Sequence, residues 1–166
     1  MRSKAYNLSL LSVAVATAMI LSFIESRLPT FVPIPGIKLG LANIAVIFAI
    51  YKLGWKEAIA VSLVRVCLSA MLFGSAVSFI YSLTGAVVSF AVMLLLKTVI
   101  RMHTVGVSIA GGVAHNIGQI VAASVILSTD VVVYYMPYLI ISGVLAGIAV
   151  GLAANMLIHR VKVSKK

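Results

Sequence analysis

Apolar residues dominate this chain in six long runs, and polar positions are confined to the gaps between them and to a few places inside them. A stretch of about 20 apolar residues is long enough to cross a bilayer as a helix. The pattern predicts spans at approximately 8–26, 38–53, 57–73, 75–97, 105–128 and 134–158. Spans this closely spaced leave room for one membrane domain covering 1–166, with short loops and no separate soluble unit. The expected fold is all-α and integral to the membrane.

Charge then orients the spans. Thirteen Lys and Arg face three acids. Ten of the basic residues fall on one side of the predicted membrane: Arg2, Lys4, Lys52, Lys56, Lys97, Arg101, Arg160, Lys162, Lys165 and Lys166. Only Arg27 and Lys38 fall on the other, and Arg65 lies within a span. A bias of this size places the basic side in the cytoplasm, so both termini are expected there, in an inner or cytoplasmic membrane. The first run, behind Arg2 and Lys4, is longer than a secretory signal needs and is expected to be retained as the first span.

Composition agrees with this and narrows the function. Hydrophobic residues make up 63% of the chain and charged residues 10%, against roughly 25% charged in soluble domains. The net charge of +10 is spread over loops and tails that meet lipid headgroups, which argues against a nucleic-acid site. Cys67 is the single cysteine, so neither an intrachain disulfide nor a cysteine metal motif is expected. No catalytic residue, metal or cofactor is expected either. The chain has one aspartate, Asp130, and neither a Walker-type glycine loop nor a nucleophile–base pair.

Ionisable and polar groups inside spans are the candidates for chemistry. Arg65 sits mid-span, with Ser62 and Ser69 on its helix face. The fifth span carries His115, Asn116 and Gln119, the second Asn43, and the fourth Tyr81 within a stripe of small and polar residues. Glu25 closes the first span and is a possible partner for Arg65. Together these suggest a polar cavity reaching from mid-membrane to the external face, with Asn43, Arg65, Tyr81, His115, Asn116 and Gln119 as substrate-binding residues. The loop holding Pro33, Pro35, Gly36 and Lys38 is stiff and apolar, and is expected to act as a lid or a connector. Ala14 and Ala18, four apart, allow close helix approach, within the chain or with another subunit. Gly143, Gly147 and Gly151 repeat that spacing on the last span.

The runs PGIKLGLANI (35–44), SLVRV (62–66), LFGSAVSFIYSLTGAVVSF (72–90) and GVSIAGGVAHNIGQ (106–119) resemble the Gx transporter family, also labelled heptaprenyl diphosphate synthase component I. That family is similar to the S components of energy-coupling factor (ECF) transporters. The resemblance implies a six-helix, S-component-like bundle that captures a small anionic or polar-headed molecule from outside. It also implies an ECF coupling subunit and ATPases as partners, Ala14 and Ala18 as the partner-docking pair, and the loop at 27–38 as the lid. The alternative is a non-catalytic accessory component of isoprenoid, heptaprenyl diphosphate or quinone metabolism. Catalysis by this chain alone conflicts with its missing aspartate clusters, which prenyl synthesis uses to hold magnesium against diphosphate.

The charge bias has a direct test. Reporter fusions at Lys166 and in the loop near Asp130 are expected to read opposite sides of the membrane, with Lys166 cytoplasmic. An external C-terminus would overturn the topology.

Overall fold

A computed structural model describes residues 4–27 and 40–161. They form six α-helices: α1 (Lys4–Arg27), α2 (Asn43–Lys52), α3 (Trp55–Phe73), α4 (Ala76–Leu95), α5 (Thr104–Leu127) and α6 (Met136–Arg160). A π-helical turn, Leu96–Ile100, extends α4, and a 3₁₀ turn, Asp130–Tyr135, leads into α6. No strand occurs among the described residues.

Polarity is distributed inside out, which is what a lipid-facing surface requires. Large apolar side chains such as Leu8, Val13, Met71, Leu72, Val125 and Leu145 are exposed, whereas Ser22, Glu25, Asn43, Arg65, Ser89, His115, Asn116 and Gln119 are buried. Four stretches are long and apolar enough to cross a membrane: Leu8–Arg27, Ala76–Ile100, Thr104–Leu127 and Asp130–Arg160. The chain is therefore a multi-pass membrane protein. The other two helices differ from these for separate reasons. The 19 residues of α3 suffice in length, but Lys56, Glu57 and Arg65 lie among them. The ten residues of α2 rise only about 15 Å, half of a hydrocarbon core.

The second predicted span thus begins later than its hydropathy suggested. Gly40 takes a left-handed φ of +88°, a conformation that stops a helix and suits glycine. Leu41 and Ala42 make a turn in which the Asn43 N–H donates to the Gly40 carbonyl at 2.9 Å, and α2 starts only there. Short as it is, α2 packs against α1, α3, α5 and α6. Its apolar side chains Ala45, Val46, Ile47, Ala49 and Ile50 are the centre of the main core, with Ala14 and Ala18 of α1, Val61 of α3 and Ala154 of α6.

On the other side of the bundle, α5 packs along both α4 and α6, and glycine lets the backbones touch. A Cβ built on Gly147 would lie 2.6 Å from the Ile109 Cα, and one on Gly112 would lie 2.6 Å from the Gly143 carbonyl oxygen. Between α4 and α5, a Cβ on Gly118 would sit 3.0 Å from the Gly85 Cα. Apolar tails offer helices little hydrophobic drive to associate, so such close contact supplies the packing energy.

Gly147→Val is expected to force α5 and α6 apart and to cost about 1–3 kcal/mol, measured as a lower unfolding midpoint in detergent. Gly106→Ala, whose added methyl meets only the Met102 side chain, is expected to leave that midpoint nearly unchanged.

Candidate functional site

Several polar side chains reach a common depth. Arg65 is ten residues beyond Trp55, His115 eleven beyond Thr104, Gly85 ten before Leu95 and Asn43 nine before Lys52. At 1.5 Å per residue, each lies about 13–17 Å from the end of the bundle that carries Lys52, Lys56, Lys97 and Arg101.

The turn at Gly40 brings these helices together. Glu25, near the end of α1, accepts hydrogen bonds through Oε1 from the Gly40 N–H and from the Leu41 N–H, the latter at 3.3 Å. A carboxylate is favourable there, because the N–H groups opening a helix have no partner within it and carry partial positive charge. Beside the same glycine lie Asn43 and His115: a Cβ on Gly40 would be 3.2 Å from Asn43 Nδ2 and 3.7 Å from His115 Cδ2. The imidazole is pressed on its other side against α4, where a Cβ on Gly85 would approach Cε1 and Nδ1 to 2.9 Å. His115 therefore lies between Gly40 and Gly85, and a side chain at either position would displace it.

Arg65 stands next to this group. Its side chain is 3% exposed, and Glu25 is the acid with which it interacts electrostatically. Its Nε and Nη2 are buried without a hydrogen-bond partner among the described residues. Ser62 and Ser69 flank it on the buried face of α3, and Ser69 Oγ donates to the Val66 carbonyl at 3.3 Å. A guanidinium has five N–H donors and no acceptor, and leaving donors unmet in a dry interior is costly. The arrangement can thus receive an acceptor-rich or anionic group.

Of the other residues singled out in the sequence, Gln119, one turn along α5 from His115, and Asn116 and Tyr81 are all buried. Asn116 Nδ2 donates to the Leu139 carbonyl of α6 at 2.7 Å and so ties α5 to α6. Tyr81 belongs to a second apolar cluster with Ile120, Ala123, Val132 and Leu139. Ala14 and Ala18 are 5% and 0% exposed. Both belong to the main core cluster, and Ala14 also lines a groove with Leu10, Val13 and Thr17. Pro33, Pro35, Gly36 and Lys38 lie outside the described residues. No trio of His, Cys, Asp or Glu side chains converges among the described residues, so metal donors are not assembled there.

Sequence reasoning missed the role of Gly40 and the capping job of Glu25. It also missed Lys97, whose Nζ donates to the Ile50 carbonyl and lies 5.1 Å from the Tyr51 ring centre. The signal at Gly40 was present in the run GIKLGLAN, where a glycine interrupts an apolar stretch just ahead of a polar side chain.

The chain matches the family described as heptaprenyl diphosphate synthase component I over residues 14–157. It belongs to that family. The match runs from Ala14 on α1 to Leu157 on α6 and so includes Glu25, Gly40, Arg65 and His115. No curated protein and no solved structure matches the chain significantly.

Because the Gly40 and Leu41 N–H groups rely on Glu25, Glu25→Ala is expected to lower stability by about 1–3 kcal/mol, the cost of leaving buried donors unsatisfied. Glu25→Gln keeps an acceptor oxygen and is expected to recover part of that loss. Denaturant unfolding of the two variants in detergent, monitored by tryptophan emission from Trp55, checks the order.

Proposed function

We propose that this member of the family is a non-catalytic, membrane-embedded binding subunit for a small molecule with an anionic or strongly polar head. The observation that supports it most is Arg65: a buried mid-bundle guanidinium with two donor nitrogens unmatched. A charge held at that depth is costly, and an incoming anion would satisfy it through the planar fork that arginine offers. Asn43, His115 and Gln119 are near enough in depth and burial to add hydrogen bonds to the same ligand, and the segment at 27–38 would close over it. With the basic side in the cytoplasm, both termini face inward and the ligand enters from outside. This corresponds to an S-component-like subunit of an ECF-type uptake transporter, driven by a coupling subunit and ATPases. A coupling subunit would dock on α1 at Ala14 and Ala18, through the groove that Ala14 lines with Leu10, Val13 and Thr17.

The family description favours a second reading, an accessory membrane component that holds a prenyl diphosphate for a separate synthase. The two readings share the same anion chemistry at Arg65 and differ in partner. Native co-purification distinguishes them: an ATPase pair with a coupling subunit supports uptake, and a soluble prenyl synthase supports the accessory role.

Arg65→Gln is expected to weaken ligand binding by about 2–5 kcal/mol, the usual loss when one member of a buried charged pair is removed. Arg65→Lys is expected to fall between wild type and Gln, since a point charge cannot replace the fork. Both are expected to remain folded. The check is mass spectrometry of the molecule retained by purified wild type, followed by its titration into each variant. Wild-type affinity in Arg65→Gln would reduce the arginine to a structural partner of Glu25.

A further inference from the structure

Two glycines take positive φ among the described residues, Gly40 at +88° and Gly54 at +141°, and they bracket α2. Glycine there can absorb large backbone rotations and serve as a hinge. Between them, α2 contains no glycine and meets its neighbours through side chains. By contrast, α5 is locked to α4 and α6 backbone against backbone. From Asn43, at the depth of the polar centre, α2 runs to Lys52 at the basic end of the bundle. Its Val46, Ile47, Ala49 and Ile50 form one core with Val61 of α3, Met93 of α4 and Val107 of α5. The way from the polar centre to the basic end is thus stopped by a helix with a hinge residue beyond each end.

The polar ties that hold α2 at the basic end are few. Lys97 Nζ donates to the Ile50 carbonyl and lies 5.1 Å from the Tyr51 ring centre. The Tyr51 hydroxyl donates to the Met102 carbonyl at 3.2 Å. Lys97 and Met102 belong to the segment after α4, whose backbone is π-helical over Leu96–Ile100 and left-handed at Arg101, with φ 56°. A π turn is rare, and the left-handed region disfavours a residue with a Cβ. Such features persist where neighbours hold them. Here the Met102 N–H donates to the Leu96 carbonyl at 3.1 Å, while Tyr51 holds the Met102 carbonyl. Lys97 is half-buried, so water at the basic end can compete for its ammonium group.

We propose that α2 is a plug that swings on Gly40 and Gly54, and that Lys97 is the latch that keeps it shut at the basic end. This rests on the reading of the polar centre as a binding site, because it says how that site opens to the basic side. Opening needs one ammonium to exchange a carbonyl for water. The Glu25 cap meanwhile keeps the N-terminal turn of α2 beside the polar centre as the far end moves.

The test uses the full chain in vesicles, with Cys67→Ala as background and a thiol introduced by Ala49→Cys. Ala49 is 0% exposed, so a charged, membrane-impermeant thiol reagent reaches that position only when α2 moves. Labelling is expected to be slow from either side while Lys97 is present. Lys97→Met is expected to raise the rate from the basic side by about tenfold or more, the shift in the closed–open ratio when one charged hydrogen bond is lost, and to leave the other side unchanged. Lys97→Arg, which keeps a donor and a cation over the ring, is expected to label slowly. Tyr51→Phe keeps the ring and loses the tie to Met102, and is expected to fall between wild type and Lys97→Met. Wild-type rates in both Lys97→Met and Tyr51→Phe would overturn the latch. A rise from both sides alike, with a lower unfolding midpoint, would also overturn it and make Lys97 a stabilising cap. The labelling uses no ligand, so its failure leaves the reading of Arg65 to the titrations of its own variants.

Discussion

The hydrogen bonds from the Gly40 and Leu41 N–H groups to Glu25 hold the bundle in its arrangement. A helix leaves its first N–H and last C=O groups unpaired, and inside a membrane no water is present to satisfy them. Most helices in such proteins avoid the problem by ending near the surface. At about 15 Å, α2 is too short to do so at both ends. Its N-terminal turn is met by the carboxylate of Glu25, and the Ile50 carbonyl near its other end by the ammonium of Lys97. The signs are the favourable ones, acid at the N-terminus and base near the C-terminus. Each cap comes from a different helix, so the caps also fix where α1 and the extension of α4 stand. Ten residues, six of them Ile, Val, Phe or Tyr, would be a marginal helix alone. Held at both ends, α2 contacts four of the other five helices and carries Asn43 to His115.

The rest of the bundle is built on contact distance. Along α5, glycines at 112 and 118 meet Gly143 of α6 and Gly85 of α4, so the backbones approach until a methyl group would not fit. This explains why the polar residues of α5 are buried so completely. With helices this close, His115 has room only because positions 40 and 85 are glycines. The polar centre and the glycine contacts are thus one design: shrinking the side chains around α5 makes the space in which its large polar side chains are held.

Much of this was legible in the chain. Hydropathy located all six helices, because lipid demands long apolar runs and the loops are short. It misplaced the start of α2, since Lys-Leu-Gly-Leu-Ala reads as an apolar approach to a span, and a left-handed turn at Gly40 leaves no trace in hydropathy. Burial of Arg65, His115 and Gln119 was readable from their mid-span positions. Their grouping was readable only in part. His115 and Asn116 are adjacent, and adjacent helical residues point about 100° apart, so they were bound to face different neighbours: His115 turns to α2 and α4, Asn116 to α6. Tyr81 shares the fourth helix with Gly85 but packs towards the 3₁₀ turn. The Ala14–Ala18 spacing signals close approach and carries no information on whether the neighbour belongs to the same chain.

The relation of Glu25 to Arg65 decides how the centre is to be understood. If the carboxylate had the guanidinium as its only task, the two would form a self-contained ion pair, and a third charge would have no reason to enter. Instead Oε1 is committed to two backbone donors, and the arginine keeps Nε and Nη2 unmatched. Two fixed N–H groups help to stabilise the negative charge of Glu25 at Oε1. Arg65 is buried beside that acid, one of whose two oxygens is given to α2. An anion at the guanidinium, as proposed, would meet Nε and Nη2 and would leave the Oε1 cap on α2 in place. On the proposed reading, that division would let one carboxylate hold the turn before α2 while the neighbouring guanidinium takes the ligand.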